Sequence, residues 1–199
     1  MKKILGQKEK VLRMVAVDVP IAEIKTPKIK KVLKEMSDSL ASQGDGVAIA
    51  APQIGYSLRI FVVSGKIFEA GFSRRGVSQA EDPRGSAPLA NEDSDPAGEM
   101  PPVKDLVFIN PKISKLSRDK EWLQEGCLSV RWLYGKTHRS KKAMITAYDE
   151  NGKKFIRGGS GLLAQIFQHE TDHLNGILFI DHAKEIREEL PANEEGKPK

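Results

Sequence analysis

The residues whose types and spacing carry the most chemistry lie in Gln168-His169-Glu170-Thr171-Asp172-His173-Leu174-Asn175-Gly176. Leu162, Ile166, His169 and His173 recur at steps of four and three, the spacing of one face of an α-helix. Two imidazoles one turn apart on that face can direct their nitrogens at a single metal ion. Glu170 then stands close enough to reach a water on that ion without being a ligand itself. The competing reading is an ordinary amphipathic helix with two core histidines. Ser160 is placed to cap such a helix and Gly176 to end it.

A catalytic centre of this kind needs a third ligand and an open coordination position. The downstream acids Glu185, Glu188 and Glu189 fall in a solvated, charged tail. Phe179 stands where the longer His-Glu-x-x-His-x-x-Gly-x-x-His pattern asks for its third histidine, so that pattern fails. His182 comes three residues too late for it, and His138 sits among lysines and arginines. There remains Cys127, the single cysteine of the chain, within Glu125-Gly126-Cys127-Leu128-Ser129. A thiolate with two imidazoles makes a three-ligand site, whereas a lone cysteine is in general a small buried hydrophobe.

A third segment, Gly46-Val47-Ala48-Ile49-Ala50-Ala51-Pro52-Gln53, completes a set. In residues and in order, the three segments resemble the motifs of peptide deformylases: Gly-x-Gly-x-Ala-Ala-x-Gln, Glu-Gly-Cys-Leu-Ser and Gln-His-Glu-x-Asp-His. They depart once, at Ala48, which stands in place of the second glycine. The resemblance covers about 41–59, 105–111 and 121–183. It implies one divalent ion per chain on Cys127, His169 and His173. That ion is Fe2+ in the working enzyme, with Zn2+, Ni2+ or Co2+ as replacements on purification; by coordination preference alone the ligand set suits zinc. It further implies Glu170 as general base and then acid, with hydroxide from a water on the ion attacking a formyl carbonyl. The Gln53 side chain and the Leu128 backbone N–H are the implied oxyanion donors.

On the same reading the substrate cleft is expected at Gly46, Val47, Ala48, Ile49, Gly126 and Leu162, with Val47, Ile49 and Leu162 holding a methionine side chain. Glu125 is expected to pair with Arg139, and Asp172 to orient a histidine ligand through its other ring nitrogen. The substrates implied are N-formylmethionyl chains leaving the ribosome, with formate as product. A different metal-dependent amidase or peptidase, and a non-catalytic binding protein, are the alternatives. The presence of Glu170, Gln53 and all three ligands disfavours the second of these.

A chain of 199 residues with 39% hydrophobic content is one globular domain with its own core. We expect that domain at 1–183, with a flexible insertion at about 65–104, rich in Gly, Pro, Ser and acids. A charged tail at 184–199 is expected to be helical over Lys184–Leu190 and then disordered. Lys plus Arg number 32 against 27 Asp plus Glu, a net charge of +5. With no dense basic run, this suits a solvated surface and at most transient ribosome contact, not specific nucleic-acid binding. One cysteine excludes a disulfide framework, and neither a signal-type apolar region nor a membrane-length segment is present. A cytoplasmic monomer is therefore expected.

Among the elements, Thr26-Pro27 starts a helix whose stripe is Val32, Leu33, Met36 and Leu40. Strands are expected at Val11–Val15, Arg59–Ser64, Leu106–Asn110 (stopped by Pro111) and Lys142–Tyr148, the last turning at Asp149–Gly152. The fold class is α+β, small antiparallel sheets packed around a central helix bearing the two histidines.

Overall fold

The structure is a computed structural model that describes residues 1–69, 72 and 103–190. It is α+β. Strands β1 (Ala48–Ala50), β2 (Ile60–Val63), β3 (Leu106–Leu116), β6 (Lys142–Tyr148) and β7 (Lys154–Ser160) form one antiparallel sheet in the order β1-β2-β3-β6-β7. A second antiparallel sheet joins β4 (Lys120–Cys127), β5 (Val130–Ser140) and β8 (Lys184–Glu188) in the order β4-β5-β8. Two helices, α1 (Pro27–Ala41) and α2 (Gly161–Leu174), complete the frame.

α1 begins where the Thr26 hydroxyl accepts the Ile29 N–H at 3.5 Å and Pro27 takes the first helical position, where a missing N–H costs nothing. Its buried stripe, Val32, Leu33, Met36 and Leu40, packs against Ile49, Ile54, Ile60 and Val62. α2 lies on the other face of the five-stranded sheet. Phe167 meets Phe108 edge-on at 5.3 Å between centroids and Phe61 at 6.4 Å. Each such fully buried side chain is worth about 2–3 kcal/mol. Gly159 lets the helix come this close: a Cβ there would lie 2.9 Å from Leu163 Cγ.

The opposite flank of α2 is fastened to the second sheet by two-handed polar contacts. Gln168 accepts the Ser140 N–H and donates to the Ser140 carbonyl, both at 3.0 Å. Gln165 donates to the Gln124 carbonyl at 2.9 Å. The helix carrying both histidines is thus held between the two sheets, so its register relative to β4 is set by packing on one side and hydrogen bonds on the other.

Three expectations are corrected. Val11–Val15 is not a strand: Lys10–Arg13 is a 3-10 turn that buries Leu12, and a single parallel bridge forms further on, at Val17 and Leu58. β3 runs through Pro111 to Leu116, because the ladder with β6 shifts register between Ile109 and Lys112 and the absent proline N–H falls at that irregularity. Asn110 adopts φ 51 there, and its side chain clamps Val19 by accepting its N–H at 2.8 Å and donating to its carbonyl at 2.7 Å. Lys184–Leu190 is not a helix. With Ile186 and Leu190 its only apolar residues, the segment has no apolar face to bury, and Lys184–Glu188 instead pairs with the open edge of β5.

Ile67, Phe68 and Phe72 are the apolar residues at the start of the 65–104 segment, and they do pack there. The segment opens with a 3-10 turn at Gly65–Phe68 that buries Ile67, and Phe72 packs on the core around α2. Gly65 N–H donates to Asp105 Oδ1 at 3.1 Å, so the two ends of the segment meet. Residues 70–71 and 73–102 of this expected insertion, and the tail at 191–199, lie outside the described residues.

Candidate metal centre

Three elements converge at the centre. α2 contributes His169, Glu170 and His173; β4 ends on Cys127; the 3-10 turn at Ala51–Ile54 carries Gln53. One donor atom each from Cys127, His169 and His173 lies within 4.8 Å of the other two. Cys127 Sγ is 3.2 Å from His173 Nε2. The two imidazoles are 4.9 Å apart with their planes at 81°, presenting different edges to a shared point.

The surroundings fix these groups. His169 Nδ1 faces Glu125 Oε2 at 3.1 Å, which leaves its Nε2 for the cluster. Glu125 meets Arg139 through two parallel hydrogen bonds, Nε to Oε1 at 2.8 Å and Nη2 to Oε2 at 3.0 Å. Arg139 also donates from Nη1 to Asp172 Oδ2 at 2.7 Å. Burial opposes the charge on Glu125, but His169 and Arg139 outweigh it and hold the carboxyl well below the ordinary carboxylate range. Burial likewise opposes the imidazolium of His169, and its bonds to Cys127 and Glu125 nevertheless raise its basicity.

The donor set fits a divalent first-row ion on grounds internal to the fold. Burial works against ionising Cys127, yet the attraction of His173 and hydrogen bonds with His169 and His173 bring its pKa to about 5, which favours the thiolate that ligates. The Ser129 N–H and the Gln53 amide point at the same sulfur, at 3.4 and 3.5 Å. Glu170 Oε2 is buried without a hydrogen-bond partner among the described residues, and burial pushes the Glu170 carboxyl up, though both histidines oppose this. A thiolate, two imidazoles and a carboxylate of raised basicity at the edge is the arrangement of a hydrolytic centre.

Gln53 is preorganised. Its Oε1 accepts the Ala50 N–H at 2.8 Å, which turns Nε2 toward Ser129 Oγ at 3.2 Å and toward Cys127. Leu128 follows Cys127 at the hairpin tip. A cleft of about 800 Å3 opens over these groups. Gly46, Val47, Ala48 and Gln53 from the first loop, Gly126, Cys127 and Leu128 from the end of β4, and Ile166, His169 and Glu170 from α2 line it. Ala48 has an ordinary extended backbone in β1, so its methyl group requires no left-handed conformation.

Three expected site residues stand elsewhere. Ile49 does not line the cleft: alternation along β1 turns Ala48 and Ala50 toward α2 and Ile49 toward α1, where it is fully buried. Leu162 belongs to the core beneath the helix, and Ile166, one turn on, faces the cleft in its place. Asp172 does not touch a ligand histidine. It binds Arg139, and Glu125 does the orienting of His169. Of the other histidines, His138 stacks on Trp122 at 4.9 Å and His182 lies 4.0 Å from Asp172, away from the ligand cluster.

Sequence reasoning passed over Gln165, four residues before His169 on the same face, which donates to Gln124 and lines the cleft; that helical spacing was a usable signal. It also passed over Arg131, Trp132 and Tyr134, which border the cleft from an irregular stretch of β5 that no periodicity marks.

The comparisons agree with this geometry. The family model described as "Polypeptide deformylase" matches residues 1–189. A peptide deformylase of Borreliella burgdorferi is 36% identical over 158 residues, covering 79% of this chain and 74% of that one. The crystal structure of a peptide deformylase from Legionella pneumophila superposes with a TM-score of 0.67 at 30% identity, over 93% of this chain and 87% of that one. A peptide deformylase from Synechococcus elongatus, solved in complex with actinonin, gives a TM-score of 0.67 at 28% identity, over 92% and 79%. With a family match across nearly its whole length and a centre of the corresponding chemistry, the chain belongs to the polypeptide deformylase family.

Proposed function

We propose that this chain removes the formyl group from the N-terminal formylmethionine of newly made polypeptides, releasing formate. One observation carries the reading: a buried Glu170 beside three convergent donors, with the Gln53 amide fixed on the same centre.

Cys127, His169 and His173 would hold a divalent ion, which would supply Lewis acidity and lower the pKa of a bound water toward about 7. Glu170, its carboxyl raised by burial, accepts the proton of the attacking water. The water oxygen bonds to the formyl carbon, and the developing oxyanion is met by the Gln53 Nε2–H and the Leu128 N–H. Each such donor is typically worth about 3 kcal/mol of barrier. Glu170 then returns its proton to the departing amine as the C–N bond breaks, leaving formate and a free methionyl N-terminus. Glu125, anchored by Arg139, keeps the His169 ring in its working orientation throughout. A formyl carbon bears only hydrogen on one side, which lets a tight site select it by size. Val47 and Ile166 supply apolar surface beside it for the methionine.

We assign Fe2+ as the working ion, with Zn2+, Ni2+ or Co2+ able to replace it. The reading also places the enzyme in the cytoplasm as a monomer in transient contact with the ribosome. Among the described residues no helix is long and apolar enough to cross a membrane.

The test is formate release from a formyl-Met-Ala-Ser peptide by nickel- or cobalt-loaded protein, with inhibition by actinonin as a second readout. Rapid release with the unformylated peptide left intact supports the proposal. Cleavage of the unformylated peptide would mean a general peptidase, and no release from metal-replete protein would remove the deformylase reading.

A further inference from the structure

The pairing of β4 with β5 is broken beside the cleft. Gly126 faces Tyr134, and the next residue, Cys127, faces Val130. One step along β4 therefore spans four along β5, and Arg131, Trp132 and Leu133 have no partner on β4, although Leu133 still pairs with Glu188 of β8. Bulges of this kind re-aim side chains next to active sites. Here the bulge puts Arg131, Trp132 and Leu133 on the cleft wall.

Trp132 sits at the crest in the left-handed region, with φ 66. For a bulky side chain that conformation is an outlier, tolerated only where the surroundings impose it, and glycine would carry no such cost. The surroundings do impose it. The Trp132 carbonyl accepts the Glu189 N–H at 2.8 Å, which ties the crest to the end of β8. Arg131 reaches to the facing wall, binding Asp45 at 2.7 Å and Gln43 at 2.5 Å, and its guanidinium lies 5.4 Å from the Trp132 ring centroid. Both flanks of the bulge are thus fixed, and an indole is held, partly exposed, on the wall of the same cleft that contains Cys127, His169 and Glu170.

We infer that Trp132, carried on the Arg131–Leu133 bulge, is a specificity-determining residue that packs against an aromatic or large apolar side chain of the substrate downstream of its formylated methionine. The inference rests on the deformylase reading and adds to it a sequence preference. An indole presented in a fixed orientation loses little conformational freedom on contact, and aromatic pairing adds to the area buried, so a preference of about tenfold is expected at the position that meets it.

The experiment is a series of formyl-Met peptides, otherwise alanine, with phenylalanine placed in turn at each of the three positions after methionine. In the holoenzyme, phenylalanine at one position should raise kcat/KM about tenfold over alanine, through KM. Trp132→Gly should bring that ratio close to one, Trp132→Phe should keep most of it, and Trp122→Phe, at the exposed Trp122, should retain it in full. Because φ 66 suits glycine, relief of backbone strain should offset part of the lost packing, and Trp132→Gly should remain folded and metal-loaded. As a measurement that does not depend on that variant, Trp132 emission in the Trp122→Phe protein should shift when the unformylated Phe-containing product peptide binds. A flat profile across the three positions, a ratio that survives Trp132→Gly, or an unmoved Trp132 emission would each overturn the inference. Absence of turnover with every formylated peptide would instead defeat the deformylase reading, and the inference with it.

Discussion

Arg139 and Glu125 meet side by side, Nε on Oε1 at 2.8 Å and Nη2 on Oε2 at 3.0 Å, and the second of those oxygens also holds His169 Nδ1 at 3.1 Å. Both partners are nearly removed from solvent, at 7% and 2% exposure. A buried charge left without its partner is costly, about 3–5 kcal/mol. Arg139→Ala should therefore destabilise the protein by that order and weaken metal binding by about 10–100-fold, since the orientation of His169 depends on the pair. Thermal unfolding and metal titration read the two effects separately. An unchanged melting temperature would mean that water replaces the guanidinium at no cost.

The same pair gives stability a direction in pH. The Glu125 carboxyl titrates well below its unfolded value of about 4.3. A group depressed in this way contributes stability that is fully present above the unfolded pKa and is lost as pH falls toward the folded one. The stability difference between the parent protein and Glu125→Gln should thus be largest near neutrality and shrink steadily below about pH 4. Denaturant unfolding of chelator-treated protein follows this without interference from metal release. A difference that grew on acidification would reverse the assignment.

Glu170 is buried with one oxygen unpartnered among the described residues, and no basic side chain pairs with it there. Its role is then in the chemistry and not in holding the fold. Glu170→Gln keeps the shape, removes the proton acceptor, and should lower formate release by at least about 100-fold while leaving metal content unchanged. Elemental analysis beside the rate assay decides between this and a ligand role, in which the metal would be lost along with activity.

The centre was legible in the sequence to the extent that its chemistry depends on spacing. His169 and His173 recur one turn apart, Glu125-Gly126-Cys127 is contiguous, and the Gly46–Gln53 loop is short. Relationships that depend on tertiary partners were not legible. Whether Asp172 would reach a histidine or an arginine depended on the register of α2 against β5, which Gln168 and Ser140 set. Ile49 alternates away from the cleft because β1 is packed on both faces, a fact invisible in three apolar residues. Pro111 lies inside β3 because an irregularity absorbs it, and Lys184–Glu188 is a strand because an open edge of β5 was there to receive it.

Gln53 differs from Glu170 in that its position is built by hydrogen bonds. With Oε1 held by the Ala50 N–H, the amide can aim Nε2 at developing charge without reorganising. Gln53→Leu should lower kcat by about 10²–10³-fold and leave KM nearly unchanged, because the donor acts in the transition state more than in the ground state. A rise in KM alone would show that Gln53 only binds substrate.

Ala48 and Gly126 both line the cleft, and they are small for different reasons. Ala48 is 7% exposed, in ordinary strand geometry, so nothing in its backbone asks for glycine. Ala48→Gly should cost about 0.5–1 kcal/mol of stability and change kcat/KM by no more than a few-fold. At Gly126 a Cβ would lie 2.7 Å from the Tyr134 ring, so alanine there must displace the ring from the cleft wall or push Cys127 out of place. Gly126→Ala should destabilise by about 1–3 kcal/mol and reduce metal-dependent activity at the same time. Measured together, the two variants separate a methyl group that the cleft already accommodates from one that its packing forbids. A silent Gly126→Ala would mean that Tyr134 moves freely, and would remove that ring from the structure of the site.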